Sequence, residues 1–144
     1  GDQGAPAEAD ACAPELTGLR VVVVDDQPDI LELVHEILRS CGAVVCTCTS
    51  ARAALDLVRG WRPDVLVSDI AMPGDDGYWL IRQVRALPAD QGGGIPAMAL
   101  TAYVRIEDRL QVLAAGYQRY VPKPVEPAEL LDVLAQLAQP EPAP

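Results

Sequence analysis

Between residues 19 and 138 the chain changes its apolar period five times over, a short run of strand-type residues giving way each time to a stretch with helical spacing. Leu19 to Val24 is a nearly continuous apolar run, as expected of a strand covered on both faces. It stops at Asp25-Asp26, and Pro28 can open a helix at its first turn. Ile30, Leu31, Val34, Ile37, Leu38 and Cys41 then recur at helical spacing, and Gly42 ends the segment. Val44 to Thr49 is β-branched and predicts a second strand. Ser50 can cap a helix carrying Ala54, Leu55 and Val58 as far as Gly60. A third strand runs from Val65 to Ser68 and ends at Asp69; helix is expected over 78–87, then a Gly-rich loop over 88–94. Ile95 to Leu100 is a fourth strand ending at Thr101. Ile106, Leu110, Leu113 and Ala114 mark a helix closed by Gly116. Gln118 to Val121 is a fifth strand ending near Lys123, and Pro127 opens a last helix with Leu130, Leu131, Leu134 and Leu137 on its inner face.

This alternation predicts an α/β fold: a parallel sheet with helices on both faces, joined by right-handed crossovers. Ligands of such sheets bind beyond the carboxyl ends of the strands. Residues 1–17 are rich in Ala, Pro, Gly and acidic groups without periodicity, and are expected to be linker; 139–144 are expected to be a tail. The folded unit is then 18–138.

The strand ends carry the chemistry. Asp25 and Asp26 follow strand one, Asp69 strand three, Thr101 strand four and Lys123 strand five. Three clustered carboxylates repel one another and raise at least one pKa. Mg²⁺, a hard cation that seeks oxygen, relieves that cost. A carboxylate beside Mg²⁺ and a lysine is also a nucleophile suited to a phosphoryl group. Lys123 would neutralise charge on the transferring oxygens and Thr101 could hydrogen-bond one of them. Lys123 is the one lysine in the chain, every other cationic side chain being arginine or His35. A compact point charge suits a phosphoryl oxygen.

Other motifs carry less. A net charge of −10 argues against direct binding of nucleic acid or an anionic membrane. No apolar run is long enough to span a bilayer, and no signal segment opens the chain. Cys46 and Cys48 alternate along a strand and with His35 invite a zinc reading, but there is no C-x₂-C pair. Cys41, Cys46 and Cys48 are expected to be reduced, buried small hydrophobes. His35 lies beside the apolar stripe of an amphipathic helix, not in a kinase phosphoacceptor setting, and Gly92-Gly93-Gly94 precedes a strand and so is no phosphate loop.

Four segments together resemble the receiver domains of two-component signalling: Val-Val-Val-Val-Asp-Asp at 21–26, Val-Ser-Asp-Ile-Ala-Met-Pro-Gly-Asp-Asp-Gly-Tyr at 67–78, Ala-Leu-Thr-Ala-Tyr at 99–103 and Tyr-Val-Pro-Lys-Pro-Val at 120–125. The resemblance covers about residues 19–138, with the motifs in the family's order. It implies a flavodoxin-like (βα)5 sheet of order 2-1-3-4-5, an order the fold class is known for. It implies that Asp69 is the phosphoacceptor. Asp26, Asp69 and the Ala71 backbone carbonyl would ligate Mg²⁺ directly, and Asp25 through water. Thr101 and Lys123 would contact the phosphoryl group. Tyr120 takes the place of the switch aromatic that answers Thr101, and Ala71 and Tyr103 the places that tune dephosphorylation. Lys123-Pro124 is at the position of a cis peptide in many relatives.

The implied donor is a histidine kinase or a histidine phosphotransfer domain. The implied location is cytoplasmic, and the implied state a monomer or a weak dimer through the fourth helix, fifth strand and fifth helix. Residues 16–20 and the Pro-rich ends resemble receivers fused to a larger sensor kinase. A receiver of a hybrid histidine kinase is therefore expected, without an output domain of its own, with a stand-alone regulator as the alternative. Two other classes stay open at this stage. One is a phosphatase of the haloacid-dehalogenase type, which would want an Asp where Ala71 stands. The other is a degenerate receiver that only binds partners, which would lack one of the site residues.

Overall fold

The computed structural model describes residues 12–102 and 105–139. Five strands alternate with five helices: β1 (Arg20–Val24), α1 (Pro28–Ser40), β2 (Val44–Cys48), α2 (Ala51–Trp61), β3 (Val65–Asp69), α3 (Gly77–Arg85), β4 (Ala97–Thr101), α4 (Ile106–Ala115), β5 (Arg119–Pro122) and α5 (Pro127–Ala138). The strands form one parallel sheet in the order β2-β1-β3-β4-β5. This is the flavodoxin-like topology the alternation and the resemblance imply.

The run Val21–Val24 is buried throughout because its alternate side chains serve two cores. Val21 and Val23 join Val65, Val67, Met98, Leu100 and Val121 beneath α1 and α5, which contribute Leu31, Val34, Leu38, Leu130 and Leu134. Val22 and Val24 join Leu66, Ala97 and Ala99 beneath the other helices, which contribute Ala54, Val58, Leu80, Ile81, Val84 and Val112. Truncating a fully buried leucine in either layer, such as Leu100 or Leu80, should cost about 2–5 kcal/mol.

Most helix boundaries follow the sequence signals. Pro28 stands at the start of α1, and the Ser50 hydroxyl accepts a hydrogen bond from Ala53 N at the start of α2. Gly60 does not end α2: the helix runs through it to Trp61, and Arg62 takes the left-handed conformation at φ 57°. The guanidinium of Arg62 reaches the carbonyls of Arg59 and Asp90, which hold the turn in place of a glycine. In α4 the spacing residues do form a helix, but Ile106, Leu110 and Leu113 face outward, at 70%, 61% and 40% exposure. Val112 and the neighbouring Tyr117 fill the space under it.

Two readings of the amino terminus need correction. Of the stretch 1–17 assigned to linker, residues 12–17 pack on the domain: Pro14–Leu16 is a 3-10 turn and Leu16 is fully buried. Composition missed this because one leucine among Ala and Pro has no period to reveal it. Cys41 is buried as expected but not reduced, for it forms a disulfide with Cys12. Cys46 and Cys48 are free but only half-buried, since β2 is an edge strand.

Candidate functional site

Parallel strands all deliver their carboxyl ends to one edge of the sheet, so residues far apart in sequence meet there. Asp25 follows β1 directly. Its Oδ1 accepts a hydrogen bond from Gln27 N at 2.8 Å, which fixes the carboxylate at the mouth of α1. Its Oδ2 accepts one from Lys123 Nζ at 2.9 Å. Lys123 Nζ also lies 3.2 Å from Asp69 Oδ1. Both carboxylates are nearly sealed from solvent, Asp25 at 0% and Asp69 at 4% exposure, so this is a buried ion triad rather than a surface pair. Asp26 is partly exposed, and oxygens of Asp25, Asp26 and Asp69 lie within 4.8 Å of one another.

The electrostatics follow from that crowding. Burial pushes the Asp69 carboxyl up from 3.8 to about 6. The charge of Asp25 and a hydrogen bond with the Asp26 carboxyl act in the same direction; the Lys123 ammonium acts against them. For Lys123, burial pulls the pKa down, but Asp25 and Asp69 more than offset it, and it stands above its usual value. One cation thus serves two buried anions, with a third carboxylate beside them. That donor set, all oxygen and rich in negative charge, suits a hard divalent cation such as Mg²⁺. Among the described residues it is the one cluster of His, Cys, Asp or Glu whose ligand atoms converge. The zinc reading has no such support, and burial pushes the Cys48 thiol up to about 11, which keeps it protonated.

Thr101 ends β4 and is buried at 2% exposure. Its carbonyl accepts from Lys123 N at 2.8 Å, which joins the ends of β4 and β5 at the cluster. Tyr120 pairs in register with Ala99 and is half-buried, with the Arg109 guanidinium 5.5 Å over its ring. Lys123-Pro124 is cis. Ala71 lies exposed in the loop between β3 and α3. Tyr103, singled out beside it, lies outside the described residues.

Sequence reasoning passed over the residues that hold this loop. A Cβ on Gly77 would come 2.4 Å from the Asp69 carbonyl oxygen and 2.8 Å from Ile70 Cα, so α3 starts against the backbone of Asp69. Gly77 N donates to Ile70 O at 2.9 Å, and the Asp76 carboxylate caps α3 by accepting from Trp79 N. The buried Tyr117 hydroxyl donates to Gly77 O at 2.7 Å. Arg52 pairs with Asp75 at 2.8 Å and stacks on Trp79. The Gly77 signal was present in the motif; Tyr117 gave none, because nothing local to Gly116 and Gln118 says that α3 lies overhead.

Sheet order and cluster together define a receiver module of the flavodoxin-like class. The chain belongs to the response regulator receiver domain family, whose model matches residues 21–135. Members of this family serve two-component signalling as phosphoacceptor switches. Among curated proteins it is 45% identical over 121 residues to an uncharacterized 14.6 kDa protein from the sodA1 3′ region of Leptolyngbya boryana, covering 84% of this chain and 91% of that one. It is 37% identical to the response regulator MprA of Mycolicibacterium vanbaalenii over 78% of this chain and 47% of that one. It is 33% identical to the sensor protein GacS of Pseudomonas syringae over 87% of this chain and 14% of that one. The chain therefore spans about half or less of those two longer proteins. Among solved structures, a response regulator of Chloroflexus aurantiacus superposes with a TM-score of 0.79 at 31% identity, covering 85% of this chain and 98% of that one. The receiver domain of a sensor histidine kinase from Pseudomonas aeruginosa, described with magnesium coordinated in its active site cleft, superposes at 0.77 with 31% identity and the same coverage.

Proposed function

We propose that Asp69 accepts a phosphoryl group from the phosphohistidine of a histidine kinase or a histidine phosphotransfer domain. The observation that carries this reading is the Lys123 ammonium held 3.2 Å from a nearly sealed Asp69 carboxylate, with Asp25 and Asp26 beside it. Above a pH of about 6, Asp69 is mostly ionised and so able to attack. One of its carboxylate oxygens forms the new O–P bond while the P–N bond of the donor breaks. The donor imidazole keeps the electron pair of that bond. Lys123, already 3.2 Å from Asp69, would turn toward the transferring oxygens and neutralise the charge that develops there. Thr101 offers its hydroxyl from the fixed end of β4. Asp26, Asp69 and the Ala71 carbonyl would hold Mg²⁺, with Asp25 through water, and that ion would neutralise charge on the phosphoryl oxygens. Movement of Thr101 toward Asp69 then vacates space that the Tyr120 ring fills by changing rotamer, and α4, β5 and α5 carry the change to a partner or a linked domain. The exposed Ile106, Leu110 and Leu113 of α4 support that face as the readout surface, and a monomer or weak dimer as the state. The site fits the receiver of a hybrid histidine kinase or a stand-alone regulator, working in the cytoplasm without direct contact to nucleic acid.

The test is incubation with acetyl phosphate and Mg²⁺ followed by intact mass. The wild type should gain one phosphoryl group, and Asp69→Asn should gain none. An adduct that persists in Asp69→Asn would sink the assignment.

A further inference from the structure

We infer that Cys12 and Cys41 form a reversible thiol–disulfide couple that controls whether residues 12–17 stay strapped to the domain. The bond joins residues 29 apart in sequence, with Cα atoms 5.2 Å apart. Cys41 sits at the C-terminal end of α1 and is buried, whereas Cys12 is partly exposed. The strap places the fully buried Leu16 in the core under α1 and α5, and Cys12 and Ala13 pack on the same cluster, as do Leu137 and Ala138.

Among the described residues, the backbone hydrogen bonds donated within Ala13–Thr17 close inside the segment: Leu16 N to Ala13 O, and Thr17 N to Pro14 O. Leu16 O accepts from Leu19 N, and the backbone bonds that cross to residues 42–44 are made by Gly18, whose N–H donates to Gly42 O, and by Leu19, whose carbonyl accepts from Val44 N. The buried Leu16 and the covalent bond are the main anchors of the strap, with Cys12 and Ala13 packed beside them. Cutting the bond restores the chain entropy that the cross-link removed. A short terminal segment with one fully buried side chain, once its cross-link is cut, is drawn from the low end of local stability.

Exposure decides the route of reduction. A small-molecule thiolate attacks Sγ of Cys12, the more exposed of the two residues, the S–S bond breaks, and Cys41 leaves as a thiolate that takes a proton. A second thiol then resolves the mixed disulfide. The protein gains two electrons and two protons, and the two small thiols leave as their disulfide. A small-molecule disulfide runs the reaction backwards. The strap lies at the end of the sheet where β1 begins, opposite the Asp25 end, so the inference stands apart from the phosphoryl reading.

The full chain, equilibrated in glutathione buffers of opposite poise, should be denatured and mass-tagged on its thiols, then mapped without reduction. Oxidised protein should carry tags on Cys46 and Cys48 alone and yield a linked Cys12–Cys41 peptide. Reduced protein should carry tags on all four cysteines. Hydrogen exchange at residues 13–17 should speed up by about tenfold or more on reduction while residues 21–24 stay protected. Cys12→Ser should exchange like the reduced form in either buffer. A tag on Cys12 in oxidised protein, a Cys46–Cys48 link in its place, or exchange at 13–17 that ignores redox state would overturn the inference.

Discussion

At the scale of the residue, the ionised form of Asp69 sits in a poor solvent. It has lost water, faces Asp25, and shares its one cation with that neighbour. Its carboxyl titrates near 3.8 when unfolded and at about 6 when folded. The folded state therefore binds the proton more tightly across that interval. The stability this group confers is complete below 3.8 and is lost as the pH rises through about 6. Asp69→Asn is neutral at every pH. In EDTA at a pH well above 6 it should melt above the wild type, by roughly 2–6 °C for a domain of this size. The gap should close at a pH below 3.8. Calorimetric melts across that range decide it; a gap that does not change with pH would mean the carboxylate charge is not its cause. Asp26→Asn probes the same crowding from the open side. Mg²⁺ that binds only the folded state must stabilise it by mass action. The Mg²⁺-dependent rise in melting temperature should shrink in Asp26→Asn, and an equal rise in both proteins would count against a site at Asp26.

At the scale of the element, the start of α3 is the part of the site with least room. Gly77 is needed for close approach and not for an unusual φ, because a methyl group there would meet backbone atoms of Asp69 and Ile70. Backbone cannot swing aside as a flexible side chain can. Gly77→Ala should cost about 1–3 kcal/mol. Gly94→Ala, with open space around its Cβ, should stay within about 0.5 kcal/mol of wild type. Urea unfolding measures both, and similar costs at the two sites would show that packing at α3 is not the reason. The opposite end of α3 has a different job. Arg85 donates to the carbonyls of Gly93 and Gly116 and to the Gln118 side chain, and so stitches together the loops that lead into β4 and β5.

At the scale of the whole molecule, the proposed signal must travel from the sheet edge to α4. Phosphorylation shifts such an equilibrium only by interacting better with one state, by an amount on the order of 1–3 kcal/mol. Thr101 is the link that can be cut without touching Asp69. With a beryllofluoride mimic, wild-type NMR shifts should spread to Tyr120 and to helix residues 106–115. In Thr101→Ala they should stay near Asp69. A full wild-type pattern in the mutant would rule out the Thr101–Tyr120 route.

The sequence alone determined the five βα units, the parallel sheet and the placement of Asp25, Asp69, Thr101 and Lys123 at one edge. Those follow from local periods and from the rule that parallel strands share a direction, so a residue's position along its strand is also its position in the sheet. Tertiary structure decided the rest. Lys123 chooses Asp25 and Asp69, and the first of these is 98 residues away. Cys41 is cross-linked to Cys12 in a stretch with no period of its own. The Tyr117 hydroxyl reaches α3 at Gly77, and Ile106, Leu110 and Leu113 of α4 face outward while Val112 is buried. Each of these depends on distances between segments remote along the chain. Local propensity carries no term for such distances, and only packing sets them.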